Sequence, residues 1–571
     1  MEIFDTIIAN GRIVDGTGSP GFYGDVGLRN GRIAAIGQLA HANAKERIDA
    51  AGMIVAPGHV TQHSHYDAAL FWDPYCSNSG EHGVTTLLNA NCGFGFAPVR
   101  AADRERTMAM LETTEQIPLA QQRAGLTWDW ETFPEYIQTL RRLPKGVNVL
   151  TFVPLNPLLV FVMGVEAKGR RPSAGDMREI GRLINEAMDA GAVGISMSVM
   201  GEAGNSHVDS DGAPMPTDLL HPDDVVAIAR IVGERGEGLV QMLSKIGGYG
   251  DRGLTERVAE ALRDTGVRVL HNALITINGR PEMLQDDIAW LDGMRARGLD
   301  VVGAALVNRG WVEFGVLDLA AIAGRLSAVR EIIAAGEGGL ALIADPDFVS
   351  RFTNEYAAMG AVTGATDFAS QTIIELGPDP ALQPYLGRSL GEVAAELGLG
   401  VVAAMFDLGV RSKGAVQFKT SPYSATDPAQ TLMVMKTPSA ALGVSDGGAH
   451  TKSFSNGHYA TELLIWLVRE EKLTSLEEMH FQLSLKVART LQLVDRGAIL
   501  PGFHADILIY DLDELFIDWT RYEVVHDMPE GDWRRQPKAG GYRRILVNGV
   551  TTHERDKSSG ATPGELICLA A

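Results

Sequence analysis

Two histidines separated by one residue, His63 and His65, are the strongest chemical signal in the sequence. They end an apolar run that begins near Val55 and has the composition of a β-strand. Residues two apart in a strand point to the same face, so both imidazoles face one way. Two imidazoles on one face are a chelating pair for zinc or a similar divalent cation. The alternative is a hydrogen-bonded histidine pair without a metal.

Three further side chains of metal-ligand type lie at the ends of other apolar runs. Asp446 follows the run from Ala441 to Ser445, where a carboxylate can bind a cation and take a proton from water. Cys92 lies just past the run from Thr85 to Ala90, and as a thiolate it is a strong zinc ligand. His271 lies at the end of a third run and is a candidate ligand or base. Each residue also has a structural interpretation without a metal. Asp446 could form an Asx turn or cap a helix, Cys92 could be a buried inert thiol, and His271 could be a hydrogen-bonded core histidine.

The middle of the chain alternates apolar runs with helical stretches, which is typical of a parallel sheet with outer helices. We therefore predict an α/β fold, a (β/α)₈ TIM-like barrel. Its eight strands are Val55 to His65, Thr85 to Ala90, Val147 to Val153, Ala192 to Val199, Leu239 to Ser244, Val267 to Ala273, Val301 to Val307 and Ala441 to Ser445. Active sites of such barrels lie at the carboxyl ends of the strands, so the candidate ligands are expected to meet there.

Both ends of the chain consist of short strand-like segments and turns. Because chain termini often lie close together, we predict a composite β-sandwich domain from residues 1–56 and 499–571, with the barrel over residues 57–498. The gap between the seventh and eighth strands covers about residues 310–439. It is too long for an ordinary βα loop and predicts an insertion over the barrel mouth.

Charge and cysteine content narrow the class of protein. The 571 residues carry a formal net charge of −21, which argues against a general binder of nucleic acids or anionic membranes. Three cysteines cannot build a disulfide framework, and the amino terminus lacks a secretory signal pattern. No apolar run approaches the roughly 20 residues that span a bilayer. We expect a cytoplasmic protein, a homo-oligomer, whose partner is a small-molecule substrate.

The sequence also resembles a known family, the amidohydrolase superfamily, and within it the N-acyl-D-amino-acid deacylase-like (D-aminoacylase) group. The similar segments are Ile7 to Gly18, Pro57 to Asp67, Gly83 to Pro98, Gly191 to Gly194, Ser445 to His450, Pro501 to Asp506 and Val547 to Gly549. The resemblance covers nearly the whole chain. It implies the barrel, the composite β-domain, one or two bound divalent ions, zinc above all, and hydrolysis of an amide-like bond.

The resemblance also assigns residues to the metal site. His63, His65 and Asp446 match the first metal site, Cys92 matches the ligand cysteine of the deacylases, and His271 matches the histidine after the sixth strand. The chain departs from the family pattern in three ways. The fifth strand has no histidine, no lysine stands at the end of the third or fourth strand (Lys168 lies well past them), and Gln62 replaces an acidic residue before the first histidine. These departures favour one tightly held ion per chain.

The predicted function is metal-dependent hydrolysis of an amide bond in a small molecule, such as an N-acyl amino acid or a cyclic amide. Asp446 is expected to act as the general base, with His271 helping to stabilise the oxyanion. Arg309, after the seventh strand, and His450 are expected to bind the substrate, since a guanidinium suits a carboxylate. A surface or capping role is the alternative for Arg309. Two other functions remain open: a carbon–carbon hydrolase of a cyclic 1,3-diketone, and a non-catalytic binding protein on a barrel scaffold.

Overall fold

Eight short parallel strands lie at the centre of the computed structural model, which describes residues 3–202, 207–246, 249–319, 326–359, 366–422, 424–454 and 456–569. We call them core strands one to eight. In order they are His59–Thr61 continued by His63–Ser64, Val84–Asn89, Asn148–Thr151 continued by Val153–Pro154, Gly194–Ser198, Leu239–Leu243, Arg268–Ile275, Val301–Leu306, and Ala440–Ala441 continued by Val444–Gly447. Strands one to three form one hydrogen-bonded group, strands three to eight form another, and strand eight also pairs with strand one.

The positions of these strands follow from the apolar runs in the sequence. All residues of core strands two, four and five are buried. Strands covered on both faces are expected to be apolar throughout, so continuous runs rather than alternating ones mark them. The predicted strands overlap the observed ones, and their ends differ by a few residues at most. The exception is the first, where the run from Val55 contributes Ile54–Pro57 to a different sheet before core strand one begins.

Helices connect and cover the core strands. Among the described residues outside 310–427, the α-helices are Ser77–Gly80, Arg104–Glu115, Leu119–Gly125, Phe133–Arg142, Leu155–Met163, Ala174–Ala190, Pro222–Arg235, Gly253–Ala261, Pro281–Ala296, Pro428–Lys436, Tyr459–Leu463, Leu476–His480 and Lys486–Thr490. The helix Ala174–Ala190 begins at a capping box, in which the Ser173 hydroxyl accepts from the backbone of Asp176. Of the helices that the structure describes, none alone is long and apolar enough to cross a membrane, and one bent pair, Leu390–Leu397 with Val401–Arg411, meets the requirement by length and composition.

A nine-stranded sheet contains strands from both ends of the chain. Its strands are Phe4–Ile13, Phe22–Arg29, Arg32–Gly37, Ala44–Asp49, Ile54–Pro57, Ile507–Tyr510, Tyr542–Val547, Val550–Glu554 and Lys557–Ser558. The two halves join where Ile54–Pro57 runs antiparallel to Ile507–Tyr510. The sheet therefore brings the first and last segments of the chain together directly before core strand one.

The long segment between core strands seven and eight has a hydrophobic core of its own. Its three-stranded sheet is formed by Glu313–Gly315, Thr372–Glu375 and Gln417–Lys419. Its helices are Ser327–Ala335, Gly339–Ile343, Pro346–Ala358, Leu390–Leu397 and Val401–Arg411. Buried aromatic side chains, among them Phe314, Phe352 and Phe406, pack together between these elements.

A β-ribbon near the carboxyl terminus connects this segment to the loop after core strand eight. The ribbon consists of Phe516–Val525 and Arg534–Gly540. Its Arg535 binds the buried Glu313 carboxylate at 3.1 Å, and the Arg535 backbone N–H donates to the carbonyl of Thr451 at 2.7 Å. Part of the predicted composite domain thus lies against the insertion rather than in the nine-stranded sheet.

Candidate metal centre

Four of the predicted site residues lie together at the carboxyl ends of the core strands. Nε2 of His63 lies 3.1 Å from Nε2 of His65, 3.7 Å from Sγ of Cys92 and 3.2 Å from Oδ1 of Asp446. Oδ1 of Asp446 is also 4.0 Å from Nε2 of His65. The ligand atoms of His63, His65 and Cys92 all lie within 4.8 Å of one another, and these three side chains are buried.

The backbone holds several of these side chains in an uncommon conformation. Cys92, Asp446 and His450 have positive φ angles of 56°, 47° and 55°. A residue with a side chain pays a steric cost in the left-handed region, and such residues concentrate at functional sites, where the surrounding structure maintains them. The turn after core strand two and the last residues of core strand eight thus hold a thiol and a carboxylate beside the histidines of strand one.

A buried carboxylate that the sequence analysis did not identify completes the cluster. Glu115 is the last residue of the helix Arg104–Glu115, and its Oε2 lies 3.6 Å from Nε2 of His65 and 3.8 Å from Nε2 of His450. Its carbonyl accepts a hydrogen bond of 2.7 Å from the backbone N–H of His450. Glu115 thus brings His450 next to the cluster. Nothing in the local sequence around Glu115 indicates that this carboxylate would lie at the site.

Two amide side chains support the cluster from core strands five and six. Oε1 of Gln241 accepts a hydrogen bond of 2.7 Å from the backbone N–H of Cys92. The side-chain amide of Asn272 contacts Nδ1 of His63. Histidines that bind metals usually donate their second ring N–H to an oxygen, which fixes the ring and leaves the other nitrogen free. The structure places Nδ2 of Asn272 against Nδ1 of His63, and a flip of this amide would bring its oxygen into position to accept from Nδ1.

Burial controls the protonation of the cluster. It lowers the pKa of His63 from its usual 6.5 to about 3 and lowers that of His65 well below its usual range. Burial also raises the pKa of the Cys92 thiol and of the Glu115 and Asp446 carboxyls. The histidines are therefore neutral, with lone pairs available, while burial disfavours the charged forms of the thiol and the two carboxyls unless a positive charge is nearby.

The donor set fits a divalent cation. Two neutral imidazoles and a cysteine thiol are typical zinc ligands, and an adjacent carboxylate completes a tetrahedral set. Among the described residues, Nδ1 of His65 and Oδ1 of Asp67 are buried without a hydrogen-bond partner. A cation at the cluster would stabilise the deprotonated thiol and carboxylates, which burial alone disfavours.

His271 does not reach the cluster. Neighbouring residues of a strand face opposite sides, and on core strand six the inward position belongs to Asn272. The His271 ring packs against Trp290 of the helix Pro281–Ala296, with centroids 4.9 Å apart, and its Nδ1 lies 3.4 Å from the Thr255 hydroxyl. The structure thus places His271 between the strand and the helices that cover it.

Arg309 has internal partners. Its Nε lies 3.0 Å from Oε1 of the fully buried Glu462, and its guanidinium lies over the rings of Trp466 and Trp519 at 4.4 and 4.9 Å. Breaking such a pair leaves a buried charge unpaired, at a cost of about 3–5 kcal/mol. The guanidinium of Arg309 is thus held by these internal partners, and no described contact links it to the cluster.

The chain is similar to known proteins in sequence and in fold. The model of the amidohydrolase family matches residues 46–213. An N-acyl-D-aspartate deacylase of Alcaligenes xylosoxydans xylosoxydans is 24% identical over 570 residues, covering 99% of this chain and 95% of the relative. A solved D-aminoacylase with a binuclear metal center superposes with a TM-score of 0.64 at 21% identity, covering 99% of both chains.

The N-acyl-D-glutamate deacylase of Bordetella bronchiseptica, solved with zinc and a phosphonate inhibitor, superposes with a TM-score of 0.66 at 22% identity. It covers 99% of this chain and 100% of that one. The chain therefore has an amidohydrolase-type fold, and its resemblance to the amidohydrolase superfamily and to the N-acyl-D-amino-acid deacylase-like group within it is confirmed.

Proposed function

We propose that this protein is a metal-dependent hydrolase that cleaves the amide bond of a small N-acyl amino acid. The observation that carries the proposal is the buried group of His63, His65 and Cys92 with Asp446 beside it. The relatives named above are deacylases of N-acyl-D-amino acids, which supports an acylated D-amino acid as the substrate. A binding protein without catalysis has no need of a partly exposed carboxylate against a buried chelating pair.

We infer that His63, His65, Cys92 and Asp446 hold one divalent ion tightly, and that the ion is zinc. Sulfur and imidazole donors together favour zinc over magnesium or calcium. Core strands five and six offer the amides Gln241 and Asn272 rather than histidines, and Lys168 is paired with Asp209 and Asp211. A second ion would therefore rest on Glu115 and His450 and would bind weakly.

Asp446 is suited to move the proton in this reaction. When bound, a divalent cation polarises the carbonyl oxygen of the substrate and activates water for attack. About 26% of the Asp446 side chain is exposed, against 5% or less for His63 and His65, so Asp446 faces the space from which substrate arrives. Its carboxylate takes the proton from the attacking water and delivers it to the leaving nitrogen.

We also infer that the eight core strands are parts of one (β/α)₈ barrel. The support is the sequence of parallel pairings, in which each core strand is hydrogen-bonded to the next and strand eight pairs with strand one at Val444 and His63. A cluster at the carboxyl ends of the strands is where such barrels carry their active sites. The nine-stranded sheet is, on this proposal, the composite domain built from both chain ends.

The test is a turnover assay on the purified holoprotein with N-acetyl-D-amino acids, the matching L-enantiomers and a cyclic 1,3-diketone. We expect release of the free D-amino acid, loss of activity after dialysis against a chelator, and recovery on adding zinc. Turnover of the diketone alone, or full activity of the chelated protein with no remaining metal, would contradict the proposal.

A further inference from the structure

The opposite end of the core strands carries a cavity that the proposed reaction does not use. The cavity has a volume of about 290 Å³ and is bordered by the start of core strand seven and by the residues just before core strand eight. The candidate metal centre lies at the carboxyl ends of these strands, whereas this cavity lies at their amino ends. Ligand pockets range from roughly 300 to 1,000 Å³, so this cavity is at the lower limit of that range and suits a small molecule only.

The charged groups around this cavity are unbalanced. Arg268, Arg295, Lys486 and Arg489 border it, and the carboxylate that borders it is Asp300. Such an excess of positive charge is unexpected on a chain whose net charge is −21. Cations gathered around a concave surface attract anions and raise their local concentration.

Two of these four cations, Arg295 and Arg489, have no carboxylate to neutralise them within the described part of the chain. Arg268 is held by Asp300 at 2.9 Å. Lys486 donates to two carbonyl oxygens and to the side-chain oxygen of Gln482, all neutral acceptors. Within the described part of the chain, Arg295 and Arg489 form no ion pair or hydrogen bond through their side chains. Arg295 and Arg489 thus lack a counter-charge, whereas Lys486 has the Glu478 carboxylate nearby, which partly offsets the effect of burial that lowers the pKa of Lys486 to about 8.

A buried hydroxyl at the cavity is also unused. The Ser439 side chain is 6% exposed, and its Oγ has no hydrogen-bond partner among the described residues. An unpaired buried hydroxyl costs free energy, which a ligand oxygen accepting from it would recover. Apolar side chains form another part of the wall, including Leu299, Val301 and Phe481.

We propose that this cavity binds a small phosphate ester. Phosphate oxygens accept several donors at once and suit guanidinium groups, so Arg295, Arg489 and Lys486 take the phosphate together with the Ser439 hydroxyl. The apolar wall takes the organic group. The site is distinct from the candidate metal centre, and the proposal does not depend on the reaction catalysed there.

Calorimetric titration of the purified holoprotein with phenyl phosphate, inorganic phosphate and phenol tests this proposal. We expect phenyl phosphate to bind at least about tenfold more tightly than inorganic phosphate, and phenol not to bind, because the charge anchors the ligand and the apolar wall adds affinity. Absence of phenyl phosphate binding at low ionic strength would overturn the proposal.

Variants locate the binding. R295A and R489A should each weaken phenyl phosphate binding by about tenfold or more, and S439A by a few-fold. R297A is the matched control, because Arg297 stands two residues from Arg295, carries the same charge, pairs with Glu256 and Glu260 and does not border the cavity. Equal losses in R297A, or loss of binding in H63A with full binding in R295A and R489A, would overturn the proposal in favour of nonspecific attraction or the metal centre.

Discussion

Core strands one and six both carry histidine, and only strand one brings it to the cluster. His63 and His65 occupy positions that face the cluster, while on strand six that position is Asn272 and His271 faces the covering helices. A shift of one residue in a strand exchanges the two faces. The comparison shows that a histidine at a strand end is a ligand candidate only when its register is known.

Substitution of a histidine on core strand one should cause the largest loss of metal and activity. The variant H63A removes the side chain that contacts His65, Cys92 and Asp446 within 4 Å, so we expect the metal and the activity to be lost together. Elemental analysis after gel filtration, beside a turnover assay, measures both. A variant that kept its metal would show that strand one is not the centre of the site.

Substitution of Asp446, the carboxylate of core strand eight, should give the second largest loss of activity. D446N keeps the shape and one coordinating oxygen of Asp446 but removes its basicity. We expect kcat to fall by roughly 10²–10⁴, the usual contribution of a positioned acid–base group, with a much smaller loss of metal. If D446N turned over within a few-fold of the parent, Glu115 would be the next candidate for the base, since it lies beside His65 and His450.

Asn272 is a positioning residue on strand six, with a smaller expected effect. N272A removes the amide that holds His63 through Nδ1, and loss of such contacts lowers metal affinity by about 10–100-fold. Competition with a chelator measures the affinity directly. Metal content at saturating zinc should recover, which a variant with a disrupted fold would not show.

Replacing His271, the neighbour of Asn272, should have the smallest effect on activity. It is also the most direct test of the difference between core strands one and six. H271N retains a polar group near Thr255 and leaves the inward face unchanged, so kcat and metal affinity should stay within a few-fold of the parent. Loss of zinc in H271N with full zinc in N272A would reverse the assignment of the two faces.

The same variant should change the response to acid. Burial lowers the pKa of His271 from 6.5 to about 3, so this imidazole binds a proton more readily in the unfolded chain than in the folded one. The stability provided by the neutral ring is fully present above the unfolded pKa and is lost as pH falls towards 3, at about 1.4 kcal/mol per pH unit. The free energy of unfolding of H271N, followed by denaturant titration at several pH values, should fall less steeply between pH 6.5 and 4 than that of the parent.

The sequence predicted the core strands well and the cluster in part. Continuous apolar runs marked the strands, and the His-x-His spacing placed two side chains on one face whatever the register. For a single residue such as His271 the register could not be read, because strand six is buried on both faces and has no polar side to indicate direction. Glu115 could not be found because it reaches the cluster from a helix in a long connection, through tertiary packing alone.

The internal partner of Arg309 could not be read from the sequence for a related reason. Its position after strand seven was identified, and its partner Glu462 lies 153 residues later in the chain. The sequence around Arg309 contains no pattern that indicates an ion pair with a residue so far away in the chain. The predicted domain bounds, the oligomeric state and the cytoplasmic location remain predictions.

The nine-stranded sheet has a consequence for how the chain is made. Ile54–Pro57 needs Ile507–Tyr510 as a neighbour, and about 450 residues separate them. At roughly 5–20 residues per second of synthesis, the amino-terminal strands wait about 20–90 seconds for that partner. During that interval one edge of the early sheet is exposed on the ribosome, so this segment is where a chaperone would act on the nascent protein.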